Sequence, residues 1–260
     1  MPNDTVDKDP VMEEGDETTE SDKENETSKP EPDKFYTEGD VTLISSDNVS
    51  FKIQMFYLQA SSAVFRETFA VGELKDDNRD IITFTDEAIE SSATIRVFLD
   101  TITGKQIPSP QNMTFDWIRF VSLFARKYDC PLLAAIFRMV LAQCVGAAGL
   151  AGNLLDPRSI FVTAAILDYP EICQNAISNE ANWQWGTSEK ELTGDDKDIT
   201  GVVGESVFSP LSMPLQSVRL IPEDYLWALM RSRATEKGEK RAKEFIRLLD
   251  VTKRECDYTG

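Results

Sequence analysis

Asp40-Val41-Thr42-Leu43-Ile44-Ser45-Ser46-Asp47-Asn48-Val49-Ser50-Phe51-Lys52-Ile53-Gln54 is the stretch around which the chain can be organised. Val41 and Leu43 fall on one face of an extended segment, and Phe51 and Ile53 on one face of a second. Ser46-Asp47-Asn48 between them is a turn-forming cluster, so a β-hairpin is expected. Working outward, Leu58 and Ala60 belong to a short helix. Ser61 and Ser62 offer hydroxyls to the free N–H groups of the next one, whose Phe65 and Phe69 sit one turn apart. Ile81-Ile82-Thr83-Phe84 follows as a further strand. Ser91-Ser92 caps a helix carrying Ile95, Phe98, Leu99 and Ile102, and Gly104 suits its end.

Further on, Thr114 caps a helix with the stripe Phe115, Ile118, Val121, Ala125 and Tyr128. Pro131 starts another with Leu133, Ile136, Phe137, Val140 and Cys144, and so short a break makes the two antiparallel. The second half reads as helical pairs. Asp156-Pro157 leads into Ile160, Phe161, Ala164 and Leu167, and Pro170 opens Ile172, Cys173, Ala176 and Ile177. Residues 182–216 read as one long irregular loop, a length that marks function or disorder. Its Trp183 and Trp185 are either packed anchors or exposed anchors for a partner protein. Ile221-Pro222-Glu223-Asp224-Tyr225-Leu226-Trp227-Ala228-Leu229 then opens a helix with two acids in its first turn. The basic run 231–254 reads as the solvated side of a helix that buries Ala242, Phe245, Leu248 and Leu249, or as an import patch or dock for acidic residues.

The order and spacing of Gly39-Asp40-Val41, Phe51-Lys52-Ile53, Leu58, Ser61, Ser62, Phe65, Phe69, Ile81-Ile82-Thr83-Phe84 and Phe98-Leu99-Asp100-Thr101-Ile102-Thr103-Gly104 resemble those of the BTB/POZ domain, a protein-interaction module. The likeness runs from Asp40 to Cys144. The Pro222 to Leu229 run is similar to the C-terminal part of stand-alone fungal BTB proteins. The resemblance implies an α+β fold, a short sheet packed with a helical cluster and followed by an all-helical extension. It also implies a homodimer formed through the first strand and helix region. Val41, Leu43, Met55 and Phe56 are its candidate interface residues, with burial in the chain's own core as the alternative for each.

Two positions depart from the family. Gln54 stands where a His is frequent, and no basic residue near Met55 pairs with Asp40, so a co-repressor pocket is not implied. In BTB adaptors of cullin-RING ubiquitin ligases, the loop after the second helix carries a hydrophobic residue, any residue, then Glu. Val71-Gly72-Glu73 fits, which makes Val71 and Glu73 candidate cullin contacts, while Gly72 alone also suits a helix end.

Composition bounds the rest. A net charge of −18 repels a phosphate backbone, so direct nucleic-acid binding is not expected. Much of that charge lies at the N-terminus, where 14 acidic and 4 basic residues fall within 1–38. Residues 1–34 are expected to be a disordered acidic tail, since after Met1 their only sizeable apolar side chains are Val6, Val11 and Met12. Residues 35–146 then form the BTB/POZ-like domain and 153–250 the helical extension. No secretory signal or membrane span is read, so a cytoplasmic or nuclear location is expected. Cys130, Cys144, Cys173 and Cys256 are far apart and the chain has no His, so no metal or other cofactor is expected. The absence of His also removes the usual general base, and no phosphate-binding glycine loop is present, so the chain does not read as an enzyme. Glu223-Asp224 and Asp195-Asp196 are better explained as helix-start and loop charges. The expected function is therefore a self-associating interaction protein, bridging an unknown protein target to a cullin ligase or acting as a scaffold or transcriptional cofactor without one.

Overall fold

A computed structural model describes residues 29–70, 81–105, 114–147, 157–179, 208, 213 and 215–257. Its architecture is mixed α+β, a small sheet in strand order β1-β3-β2-β4 packed against helices. The expected hairpin is β2 (Val41–Ile44) and β3 (Val49–Ile53), antiparallel, with Val41 opposite Ile53 and Leu43 opposite Phe51. All four side chains are buried. Ser45 locks the turn, because its Oγ accepts from the Val49 amide at 2.9 Å and donates to the Val49 carbonyl. Gly39 enters the hairpin at φ +154°, and a Cβ there would lie 2.3 Å from the Ile53 carbonyl carbon, so no other residue fits. β4 (Ile81–Thr83) lies parallel to β2 on the far edge.

The opposite edge holds a strand that the sequence pattern does not announce. β1 (Glu31–Thr37) pairs parallel with β3 and starts inside the stretch 1–34 expected to be tail. Its inward residues are Asp33 and Tyr36, three apart, so the period of two that marks a strand is missing. Asp33 is tolerated inside because its Oδ1 accepts from the Phe35 and Tyr36 amides at 2.8 and 3.1 Å and Arg96 binds its Oδ2. Tyr36 reaches helix α3 (Ser92–Ile102), where its hydroxyl donates to Asp100 at 2.6 Å.

Helices α1 (Met55–Ser61) and α2 (Ala63–Ala70) follow the hairpin. Only one of the two serines caps: Ser62 Oγ accepts from the Phe65 amide at 3.1 Å, whereas Ser61 Oγ turns back onto the Tyr57 carbonyl inside α1. Ser91 caps α3. Gly104, at φ +73°, closes it with two backbone bonds, Gly104 to the Thr101 carbonyl and Lys105 to the Asp100 carbonyl. Helices α4 (Phe115–Lys127), capped by Thr114, and α5 (Pro131–Ala147) form the expected pair, with Ile118, Val121, Ala125, Leu133, Phe137, Val140 and Cys144 buried. The Phe115 side chain and Asp156 lie outside the described residues.

Helices α6 (Pro157–Ile166), α7 (Pro170–Ser178), α8 (Leu215–Leu220), α9 (Glu223–Ser232) and α10 (Glu239–Asp257) complete the chain. Buried side chains from Tyr36 to Leu249 form one continuous cluster, joined across the expected 35–146 and 153–250 division where α6 packs on α4 and α5, and α7 on α5. The 182–216 segment is not uniformly a surface loop. Phe208 and Met213 are buried, and the Phe208 ring sits 5.5 Å from that of Phe161. Among the described residues no helix is long and apolar enough to cross a membrane.

Candidate interaction face

Helix α1 is where the sequence-derived interface residues part company. Val41 and Leu43 have no exposed surface, because they form the inward face of β2 against Phe51 and Ile53; they are core residues and not surface contacts. Leu58 is also fully buried and fixes the orientation of α1. Phe56, two residues earlier and so on roughly the opposite side of the helix, is turned outward and is 69% exposed. Met55 is half-buried against the core, as is Tyr57, whose ring meets that of Phe56 edge-on at 5.7 Å. Asp40 holds this helix in place, since its Oδ1 accepts from the Met55 amide at 2.6 Å and so satisfies a free donor of the first turn.

A second exposed aromatic, Phe35, was not singled out in the sequence. It is 71% exposed on β1, an edge strand with only β3 beside it. The available signal was Phe35-Tyr36, the first aromatic pair after a long polar stretch. An edge strand with an outward aromatic offers both backbone groups and apolar surface to another chain. Val71 and Glu73, and Trp183 and Trp185, lie outside the described residues, as do residues 1–28 and Asp195-Asp196.

Glu90 and Asp168 are carboxylates whose oxygens are already engaged as acceptors. Burial pushes the Glu90 carboxyl up, but hydrogen bonds from Lys127, Tyr128 and the Asp86 and Thr85 amides outweigh it and hold the group below its ordinary value. Asp168, in the left-handed conformation at φ 58°, accepts from Tyr225 Oη at 2.6 Å and Lys253 Nζ at 2.5 Å, and so ties the end of α6 to α9 and α10. Burial and the Asp168 bond push the Tyr225 hydroxyl far up. Burial likewise raises the Cys130 thiol to about 12, so it stays protonated at neutral pH. Glu223 and Asp224 occupy the first turn of α9. Among the described residues no three Asp, Glu or Cys side chains gather as a metal site.

The basic run 231–254 spans the end of α9, the turn after it and most of α10, whose Ala242, Phe245, Leu248 and Leu249 are buried. Lys240 pairs with Glu236, Lys243 with Glu239, Arg247 with Glu244 and Lys253 with Asp168, so much of its charge is answered locally. Arg241 departs from this pattern. It is buried, and its guanidinium donates to the Phe208 carbonyl at 3.2 Å. Set beside known proteins, the chain is matched by no family model, no curated protein and no solved structure.

Proposed function

We propose that this chain is a protein-interaction module of the BTB/POZ type that self-associates through the face centred on Phe56 and acts as a substrate adaptor for a cullin-RING ubiquitin ligase. The observation that carries the first part is α1 itself: a helix without a single charged residue that turns a phenylalanine outward beside half-buried Met55 and Tyr57. Outward aromatics on an apolar helix are the usual anchors of protein contacts. The order hairpin, short helix, capped helix, strand, capped helix supports the BTB/POZ reading in the same region. Phe35, exposed on the β1 edge, offers further apolar surface for self-association.

The adaptor role rests on Val71-Gly72-Glu73, and a target would be held by the helices from α6 onward or by the segment bearing Trp183 and Trp185. Such a module works in the cytoplasm or nucleus. It needs no cofactor and no catalytic group, because its chemistry is apolar burial.

Two measurements test the proposal. Sedimentation velocity of the full chain should show a concentration-dependent dimer, and Phe56→Asp should weaken it by about 2 kcal/mol or more, about thirtyfold. A monomer at every concentration removes the self-association. Calorimetric titration against the N-terminal part of a BTB-binding cullin should give submicromolar binding that Glu73→Ala weakens. No binding there, repeated in an independent assay, leaves a self-associating scaffold or transcriptional cofactor without a ligase.

A further inference from the structure

Helices α5 and α6 have similar compositions and different surroundings. Each contains one charged residue, Arg138 in α5 and Arg158 in α6. Such helices are normally enclosed on all sides. α6 obeys, with Ile160, Phe161, Val162, Ala164 and Ala165 all buried. α5 does not: Leu132 is 52% and Met139 56% exposed, and Ala135, Ala142 and Gly146 are exposed with them. These five positions are spaced three, four, three and four apart, the seam of a helix that packs against another helix along its length. Arg138, the one charge in the helix, is drawn off the seam towards α7, where it binds Glu171 at 2.6 Å and lies 5.2 Å from the Tyr169 ring.

We propose that this seam is a second self-association surface, on which α5 of one copy packs antiparallel against α5 of another. Three observations choose a second copy as the occupant. The first is electrostatic. Two chains of net charge −18 repel, but residues 131–147 contain no carboxylate and their one charge, Arg138, is paired with Glu171 of its own chain, so two copies can meet on this helix with little like-charge repulsion.

The second is shape. In the antiparallel register centred on residue 137, Leu132 of each copy faces Ala142 of the other and Met139 faces Ala135, so every large side chain meets a small one. Parallel pairing instead sets Leu132 on Leu132 and Met139 on Met139, with gaps between at the alanines. The third is Gly146. Apart from its neighbours in the helix, a Cβ placed there meets nothing within 4 Å, so packing within one copy gives no reason for a glycine in this helix, where it lowers helix stability. In the antiparallel pair it clears the path of the turn that leads into the partner's α5.

The area sets the strength. A 17-residue helix is about 25 Å long. Its five seam residues fall well short of the roughly 20 to 30 per side of a standard interface. The contact is therefore weak by itself, and it enlarges an assembly held elsewhere or forms at high protein concentration.

Disulfide trapping tests both contact and direction. Leu132→Cys and Ala142→Cys chains, differently tagged and each carrying Cys256→Ser, are oxidised each alone and, in a third sample, together after mixing the reduced chains, all at high micromolar concentration. The expected result is a heterodisulfide in the mixture and little crosslinking of either variant alone, since Cys130, Cys144 and Cys173 are buried. Crosslinking of Leu132→Cys alone means parallel pairing and overturns the arrangement; no crosslink anywhere overturns the surface. Met139→Glu, exposed in the single copy, should fold normally, abolish the heterodisulfide and weaken association at least tenfold in sedimentation. Phe56→Asp should leave the heterodisulfide in place, so failure of the α1 face and failure of the α5 face are read separately.

Discussion

Replacing Glu90 by glutamine should destabilise the fold by about 3 kcal/mol at neutral pH, although the two side chains have nearly the same shape. Glu90 is 2% exposed and all its partners are donors. Oε2 accepts from the Thr85 and Asp86 amides at 2.8 and 2.7 Å, and Oε1 from Tyr128 Oη at 2.5 Å and Lys127 Nζ at 2.6 Å. Glutamine keeps one acceptor oxygen and points an NH2 at the other pair. If that oxygen stays with the backbone amides, the Tyr128 hydroxyl loses its bond to a charged group, about 1.5–3 kcal/mol, and must turn its hydrogen away so that its oxygen can accept from the NH2, a weaker neutral bond. The half-exposed Lys127 regains water and contributes about 0–1 kcal/mol.

Urea unfolding followed by far-UV circular dichroism measures the difference, provided that the slopes of wild type and variant agree. Acid supplies an internal control. The folded Glu90 carboxyl lies below its ordinary 4.5, so its stabilisation is complete above that pH and is lost as pH falls through the folded value. The gap between wild type and Glu90→Gln should therefore narrow in acid. A gap below about 0.5 kcal/mol at neutral pH, or one that does not narrow, would refute the assignment of Glu90 as a fully engaged hub.

Gly39→Ala should be among the most damaging substitutions, because its methyl would sit 2.3 Å from the Ile53 backbone; a melting temperature within a few degrees of wild type would contradict this geometry. Asp40→Ala removes the acceptor for the Met55 amide, should destabilise by about 1 kcal/mol, and should weaken self-association in sedimentation although Phe56 is intact. Tyr225→Phe deletes the donor to Asp168 and should lower stability by about 1–2 kcal/mol, with faster amide exchange in α9 than in β3.

Where one periodicity governed a segment, the sequence was enough. The hairpin was legible because Val41, Leu43, Phe51 and Ile53 point the same way and the turn between them is polar. α3 was legible from Ser91 and Gly104, each placed where its backbone chemistry is needed. β1 was not legible, because its inward residues are a charged Asp33 and a Tyr36 that depend on Arg96 and Asp100, more than sixty residues away. Phe208 was hidden for a related reason: a lone aromatic between turn-forming residues has no period, and its site is built by Phe161 from α6. At the candidate face the sequence favoured the core for Val41 and Leu43, on the inward face of the hairpin, but could not separate Met55 from Phe56. Both are apolar, and only the direction of α1, set by Leu58 and Asp40, turns Phe56 out. The seam on α5 escaped because Leu132, Ala135, Met139 and Ala142 look like core in a helix this apolar.

Salt separates the proposed faces from a charge-driven alternative. α1 carries no charge and the α5 seam none beyond Arg138, which is paired within its own chain, so neither face has a cross-copy ion pair for salt to screen. What salt does screen is the general repulsion between two chains of net charge −18. The screening length falls from about 30 Å at 0.01 M to about 8 Å at physiological ionic strength. Association through apolar helices should therefore tighten as salt rises over that range. Contact between the eleven carboxylates of residues 1–28 and the basic run 231–254 of another copy should loosen instead. Sedimentation at several salt concentrations distinguishes the two by sign alone, and association that weakens with salt would move the seat of self-association away from both α1 and α5.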